Sequence, residues 1–418
     1  MIIQFNFKNF RSFKDKNTID MRATKITEYK DQIIEVNDLK LLPIATFYGA
    51  NASGKSNVYY ALEFMRTMVL RSFSFGGTSK ETSEIFYDFN NNVQFAFDGD
   101  ANKADTEFEI IFATKYNEKN YVFDYGFSLN PDNIIKSEWL KTRAPSSKTF
   151  KDVFVRNEQE INLCGLTKEY ANLIRLTLEK EVLILSLGSK LKIEICKIVR
   201  EWFEKIECLN FSGGLNALFA SERSPKQFDK EEIQKNILDF ISSFDDSIKG
   251  FRKIDDEKKK FSNYPVNALH DTIDNSGQKE LSLDNESAGT RKMISLYSPI
   301  KDVLGNGGVL LVDELNARLH PLLVRNIIRE FANKTTNPHG AQLLFTTHDT
   351  FHLGDNLLRR DEIWFVEKNK GISNLYSLAD FEYNGTKIRK DADLEKNYLL
   401  GKYGAIPDLK PFNLNSEV

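Results

Sequence analysis

The 418-residue sequence is poor in cysteine, has no excess of either charge, and contains no long apolar run. Its three cysteines, Cys164, Cys196 and Cys208, are odd in number and do not fall at metal-ligand spacing. That argues against a disulfide framework or a zinc cluster and reads as reduced cytoplasmic thiols. Lysine plus arginine total 57 against 60 for aspartate plus glutamate, so no global basic field advertises nucleic acid, although a local patch stays open. No stretch approaches membrane-spanning length, and the opening MIIQFNFKNF alternates like a strand instead of carrying a signal-peptide core. Internal repeats and low-complexity tracts are also missing. What remains is a cytoplasmic globular chain, 41% hydrophobic, with ample material for a core and no call for a membrane.

The most informative stretch is Leu41 to Asn57, LLPIATFYGANASGKSN. It reads as an apolar strand, a small-residue loop and the polar start of a helix. Gly49, Gly54, Lys55 and Ser56 fit G-x-x-x-x-G-K-[ST], with Ala50, Asn51, Ala52 and Ser53 between them and Asn57 next. Small residues let successive N–H groups curl around an anion, and the helix that follows offers unpaired donors and a positive dipole end. In that pattern Lys55 reaches the β- and γ-phosphates of a nucleotide, and the Ser56 hydroxyl ligates Mg²⁺. A chance Gly/Lys turn is the alternative, and the strand–loop–helix context speaks against it.

Along the chain, residues 1–48 read as strands, and apolar positions after Ser56 give one buried helix face through Leu70. From Phe86 to Ala144 the period changes to two. VQFAFDG, EFEIIFAT, NYVFDYGFSL and IIKSEWLKT predict an antiparallel meander. Within it Asn102–Asp105 matches a guanine-recognition pattern, but lies too early and in a polar turn. Residues 166–248 read as helical, interrupted at Gly188 and without the sustained heptad of a coiled coil. Residues 250–280 read as polar and strand-poor, with Lys258–Lys260 a solvated basic run.

The last third carries three signals. GVLLVDE predicts a buried strand delivering Asp313 and Glu314, the first placed to hold Mg²⁺ and the second to polarise an attacking water. AQLLFTTH predicts another buried strand ending in His348, where ligands of such sheets gather. A capping histidine before Asp349-Thr350 is the plainer alternative. His320, before Pro321, reads as a helix start or as a packing residue at a subunit contact. Ser287-Ala288-Gly289 opens a helix shortly before the acidic strand; alone it is an ordinary helix entry.

In this order, GANASGKSN, NESAGT, VLLVDELNARLHP and LLFTTHD resemble the ABC-class ATPases of the SMC and RecF type. ESAGTRK, LHPLLV, RRDEIWFVEK and YLLGKYGAIP resemble a bacterial and archaeal family of stand-alone ATPases. That family includes the RloA and AbiL-type phage-resistance proteins and the ATPase of the PARIS defence system. The resemblance implies an α/β fold: an ABC-type P-loop NTPase head with an antiparallel β subdomain, a helical lobe carrying the signature motif, and no long coiled coil. The expected division is 1–160, 161–299 and 300–418. Gly49–Asn57 would be Walker A, Asp313 and Glu314 Walker B, and His348 the switch histidine. Ser287, Ala288 and Gly289 would be the signature that acts on a second copy's nucleotide, with Arg11 reaching the nucleotide from the first strands. Asn316 and Arg318 stand where many relatives carry Asp and Ser. No Q-loop can be placed.

The same resemblance implies ATP and Mg²⁺ as cofactors and a homodimer, or an oligomer of dimers, closed around two ATP molecules. The ATPase would serve antiviral defence by abortive infection, with a separate effector such as a TOPRIM nuclease. Two other readings stay open: a RecF-like DNA-maintenance enzyme with DNA as partner, and a nucleotide-gated binding module that does not hydrolyse.

Overall fold

The computed structural model describes residues 1–75, 93–97, 103–158, 160–211, 224–254, 264–354, 357–383 and 385–409. The chain packs as two compact units, Ile2–Arg200 with Thr346–Val418, and Glu201–Phe345 with Met1.

In the first unit β1 (Ile2–Lys8) pairs antiparallel with β2 (Asn17–Asp20). A small hairpin, β3 (Ile34–Val36) and β4 (Leu39–Leu41), leads to β5 (Ile44–Tyr48), buried at every position, and to α1 (Lys55–Arg71). Next come β6 (Thr106–Tyr116), β7 (Lys119–Leu129), β8 (Ile135–Arg143), β9 (Lys151–Asn157) and β10 (Glu160–Asn162). They form one seven-stranded sheet in the order β10-β9-β8-β7-β6-β1-β2. The meander is thus longer than expected at its far end and absorbs the N-terminal pair. Asn117 and Glu118, both left-handed (φ 48° and 60°), make the two-residue turn that matches the twist of β6 and β7. The expected strand VQFAFDG is not one: its described residues, 93–97, are irregular. Arg11 N–H donates to the Val93 carbonyl there, and the Phe95 N–H donates to Asn9 Oδ1 at 3.2 Å, isolated ties in place of a ladder.

The helical run after residue 166 is broken into α2 (Lys168–Thr177), α3 (Ile184–Lys190) and α4 (Glu194–Glu204). Gly188 lies inside α3 and interrupts nothing. A Cβ on it would stand 2.7 Å from Cys196 Sγ, so this glycine serves close helix packing. The corner is made instead by Lys192 at φ 60°. The helical pattern also hides β11 (Ile206–Asn210), the first strand of the second unit.

The second unit continues with α5 (Glu231–Ile241), β12 (Ile248–Lys253), β13 (Val266–Asp271), β14 (Gln278–Ser282) and α6 (Ala288–Asn306). Then follow β15 (Val309–Asp313), α7 (Pro321–Ala332) and β16 (Gln342–Thr346). Strands β11, β15 and β16 are parallel neighbours. β12-β13-β14 form an antiparallel sheet where a strand-poor loop was expected. The error has a cause: one face of that sheet is solvated and charged, so only Ile248, Val266 and Ala268 signal it. These pack with Ile237, Ile241 and Ile294 from the two helices. Lys258–Lys260 lie outside the described residues. His320 does start a helix, its Nδ1 accepting the Leu322 N–H at 3.2 Å.

The first unit closes with α8 (Phe351–Gly354), β17 (Ile363–Asn369), β18 (Ile372–Ser377) and α9 (Leu394–Leu399). β17 lies parallel to β5 and turns back antiparallel into β18 through Lys370 and Gly371. Among the described residues no helix is long and apolar enough to cross a membrane, and none forms a long coiled coil. The fold is mixed α/β.

Candidate active site

The loop between β5 and α1 is shaped by what presses on it from behind. A Cβ on Gly49 would stand 2.3 Å from the Val366 carbonyl of β17 and 2.7 Å from Ser53 Oγ. One on Gly54 would stand 2.5 Å from Ser373 Oγ and 2.7 Å from Ser12 Oγ. Gly54 (φ 111°) and Ala52 (φ 61°) take left-handed backbone, which lets the chain reverse into the first turn of α1. Both motif glycines are therefore fixed by space as well as by torsion.

Behind the loop runs a short hydrogen-bonded chain. Asn57 Nδ2 donates to Ser12 Oγ at 2.7 Å, Ser373 Oγ lies 2.8 Å from Ser12 Oγ, and it also donates to the Ser53 carbonyl at 2.5 Å. In front, Asn51 and Ala52 are exposed, and Ala50, Gly54 and Ser56 are partly so. Lys55, buried at the first position of α1, bends its ammonium back onto the carbonyls of Gly49 and Ala50 at 2.8 and 2.9 Å. Ser53 Oγ is buried and has no hydrogen-bond partner among the described residues. An exposed run of small residues, a helix N-terminus, a captive lysine and an orphaned hydroxyl make a cradle that fits an anionic group.

His348 belongs to the same unit. Thr347 N–H donates to the Phe47 carbonyl at 3.1 Å, so the residue before His348 is tied to the strand that feeds the loop. The imidazole is exposed. Arg11, at φ 50°, lays its guanidinium over the Tyr60 ring at 4.0 Å from the centroid. Partial burial lowers its pKa, opposed by Tyr60 and Glu63. Its partner is thus the flank of α1. One other sequence feature is structural: Asp105, from the guanine-like pattern, pairs with Lys136 at 2.8 Å.

In the second unit Asp313 ends β15 fully buried, and its carbonyl accepts the Phe211 N–H at 3.2 Å. Glu314 is half-buried and left-handed (φ 56°), and Arg318, exposed at the far side of the same turn, is left-handed too (φ 61°). Such torsions cost non-glycine residues roughly 1–3 kcal/mol each and persist only where the surroundings hold them. The signature segment sits against this turn: a Cβ on Gly289 would meet the Arg318 carbonyl at 3.0 Å. Ser287, exposed, caps α6 by accepting the Thr290 N–H at 3.0 Å, and Thr290 Oγ1 donates to Asp245 at 3.1 Å. Ala288 is half-buried on the first turn.

The residue that sequence reasoning missed here is Lys292. Its ammonium is buried in α6 and donates to the carbonyls of Glu314, Leu315 and Ala317, each at 2.9 Å. It also lies 3.9 Å from the centroid of the Phe211 ring. Burial pulls its pKa down to about 7, against the attraction of Glu314 and with the repulsion of Arg318. The signal was available: a lysine heading the buried stripe that continues through Leu296 and Val303 needs a reason to be there. Ser12 and Ser373, by contrast, are ordinary serines in the sequence, and only the fold brings them together.

No curated protein matches the chain. Among solved structures, a chain of the one described as "Crystal structure of the SmcHead bound to the C-winged helix domain of ScpA" aligns at 16% identity. The alignment covers 90% of this chain and 97% of that one, and at a TM-score of 0.41 the likeness decides nothing further. The family model is different in weight, since it matches residues 44–353, from the start of β5 to beyond His348. The chain belongs to the AAA-type ATPase-domain family described as "AAA domain, putative AbiEii toxin, Type IV TA system".

Proposed function

We propose that this protein binds ATP at the Gly49–Asn57 loop and hydrolyses it with Mg²⁺. The observation that carries the reading is the loop itself: two glycines that cannot be replaced without a clash, a buried lysine on the first turn of α1, and an unpartnered hydroxyl. Bound Mg²⁺ would neutralise phosphate charge, and Ser56 and Asp313 are the residues proposed to hold it. Lys55 leaves the Gly49 and Ala50 carbonyls for the phosphates. Glu314 acts as the base for water, and His348 as a donor toward developing charge. Arg11 is assigned a support role on α1.

The motif set further supports a homodimer in which Ser287, Ala288 and Gly289 of one copy face the nucleotide of the other. The nucleotide is then clamp and fuel together. The family description, with its toxin of a Type IV toxin–antitoxin system, favours a component of a two-part defence system over a DNA-maintenance enzyme. The sequence resemblance points the same way and suggests a TOPRIM-type nuclease as effector. Purified protein should hydrolyse ATP slowly. Lys55→Ala should abolish nucleotide binding, whereas Glu314→Gln should bind ATP, turn it over at least a hundredfold more slowly and accumulate as a dimer. Normal turnover in Lys55→Ala would rule the site out, and strong stimulation by DNA alone would favour the maintenance role.

A further inference from the structure

We propose that Lys292 is the positioning residue of the hydrolytic turn, and that through it the signature helix sets the backbone of Glu314. The inference deepens the ATPase reading and rests on it for its catalytic consequence, while its geometry stands alone. Residues 314–318 form a tight turn bounded by two left-handed non-glycine residues, Glu314 and Arg318. Within the turn, Ala317 N–H bonds the Glu314 carbonyl at 3.1 Å, and Leu319 N–H bonds the Asn316 carbonyl at 3.1 Å. These local bonds engage one lone pair of the Glu314 carbonyl and leave those of Leu315 and Ala317 to another donor.

Lys292 collects them. One ammonium has three protons to donate, and here they meet three carbonyls, those of Glu314, Leu315 and Ala317. The Phe211 ring covers the ammonium, and the Phe211 N–H in turn holds the carbonyl of Asp313. Nothing about a lysine favours such burial unless the carbonyl cage is the purpose, because a leucine would fill the space without desolvating a charge.

The helix that carries Lys292 begins at the signature segment. Gly289, one turn earlier, lies so close to the Arg318 carbonyl that a Cβ on it would stand 3.0 Å away, so the start of α6 packs against the far end of the turn while Lys292 holds it from inside. A shift of Ser287–Gly289 therefore cannot leave Glu314 where it was. Lys292 does not touch the reacting atoms; it acts through the backbone that aims the Glu314 side chain.

The test uses the full-length protein and Lys292→Met, which keeps the length and loses the donors. Without nucleotide, hydrogen exchange of the peptide spanning 314–319 should speed up at least tenfold while the peptides of β15 and α6 stay as in the parent. With ATP, kcat should fall at least tenfold with KM changed less than threefold. Lys292→Arg, which still offers donors, should recover part of both. Unchanged exchange in the turn, or unchanged kcat in a folded variant, overturns the proposal. Faster exchange across the whole unit also overturns it, since that marks a core residue only. If the parent protein has no ATPase activity, the functional reading fails and the exchange result alone decides this one. Should Lys292→Met not fold, Lys292→Gln takes its place, and failure of both to fold counts against a positioning role.

Discussion

Ser373 Oγ donates to the carbonyl of Ser53 at 2.5 Å, a bond between residues 320 positions apart. Through it the hairpin after β17 sets the shape of a loop near the N-terminus of the chain. The Ser53 carbonyl is held by Ser373, while those of Gly49 and Ala50 are held by Lys55.

Ser373→Ala should therefore weaken nucleotide binding without unfolding the protein. It removes the donor to Ser53 and the contact with Ser12. A neutral hydrogen bond is worth about 0.5–1.5 kcal/mol, so the affinity should drop by about threefold to tenfold. Titration with a fluorescent ATP analogue reads it, and an unchanged affinity would show that the loop holds its own shape.

Gly54→Ala should do more. The new methyl meets both serine hydroxyls inside 3 Å, at a torsion (φ 111°) that L-residues rarely adopt. Strain of roughly 1–3 kcal/mol is the expected scale, enough to lower binding tenfold or more and to depress the melting temperature. Pairing it with Ser373→Ala should relieve the clash only in part, since the torsion remains. Full recovery in the double variant would locate the whole cost in the clash.

Gly188→Ala tests helix packing away from the site. Its Cβ would stand 2.7 Å from Cys196 Sγ, and overpacking of this kind costs about 1–3 kcal/mol. Cys196→Ala in the same chain should return most of the lost stability in urea unfolding, and ATP binding should not change in either variant. Additive losses in the double variant would deny the contact.

Acid stability offers a fourth check. Glu138 is fully buried, accepting the N–H groups of Ile184 and Leu185 at 2.6 and 3.0 Å and the Tyr125 hydroxyl at 3.1 Å. Burial raises its pKa from 4.5 to about 7, against the amides and Arg156, which favour the carboxylate. Since the folded value lies above the unfolded one, the native state binds the extra proton between pH 4.5 and 7. Its contribution is complete below that window and is lost as pH rises through it. A shift of this size corresponds to a few kcal/mol at about 1.4 per unit. The melting temperature should fall from pH 5 to pH 7 less steeply in Glu138→Gln than in the parent. Some slope should remain, because Glu362, raised to about 8 by burial, acts in the same direction.

The strand, loop and helix start around Gly49–Ser56, the acidic strand end and the strand ending before His348 were legible in the sequence because each is a local pattern. In each, an apolar run is followed by residues whose chemistry depends on near neighbours. The meander from β6 to β8 was legible for the same reason. Misreadings came where a pattern was ambiguous. The one-faced sheet β12-β13-β14 hid among charges, and Gly188 mimicked a breaker because glycine serves both turns and close contacts.

The sequence by itself determined a buried strand, a small-residue loop and a helix start on an α/β scaffold, since Gly49, Gly54, Lys55 and Ser56 fall within a single loop and first turn. Only the tertiary structure decided what holds that machinery in shape. Ser12, Ser53 and Ser373 meet across most of the chain's length, and Lys292 meets the carbonyls of a turn that begins 22 residues later. Contacts between distant positions leave no local period or spacing behind, so they exist as information only once the chain has folded.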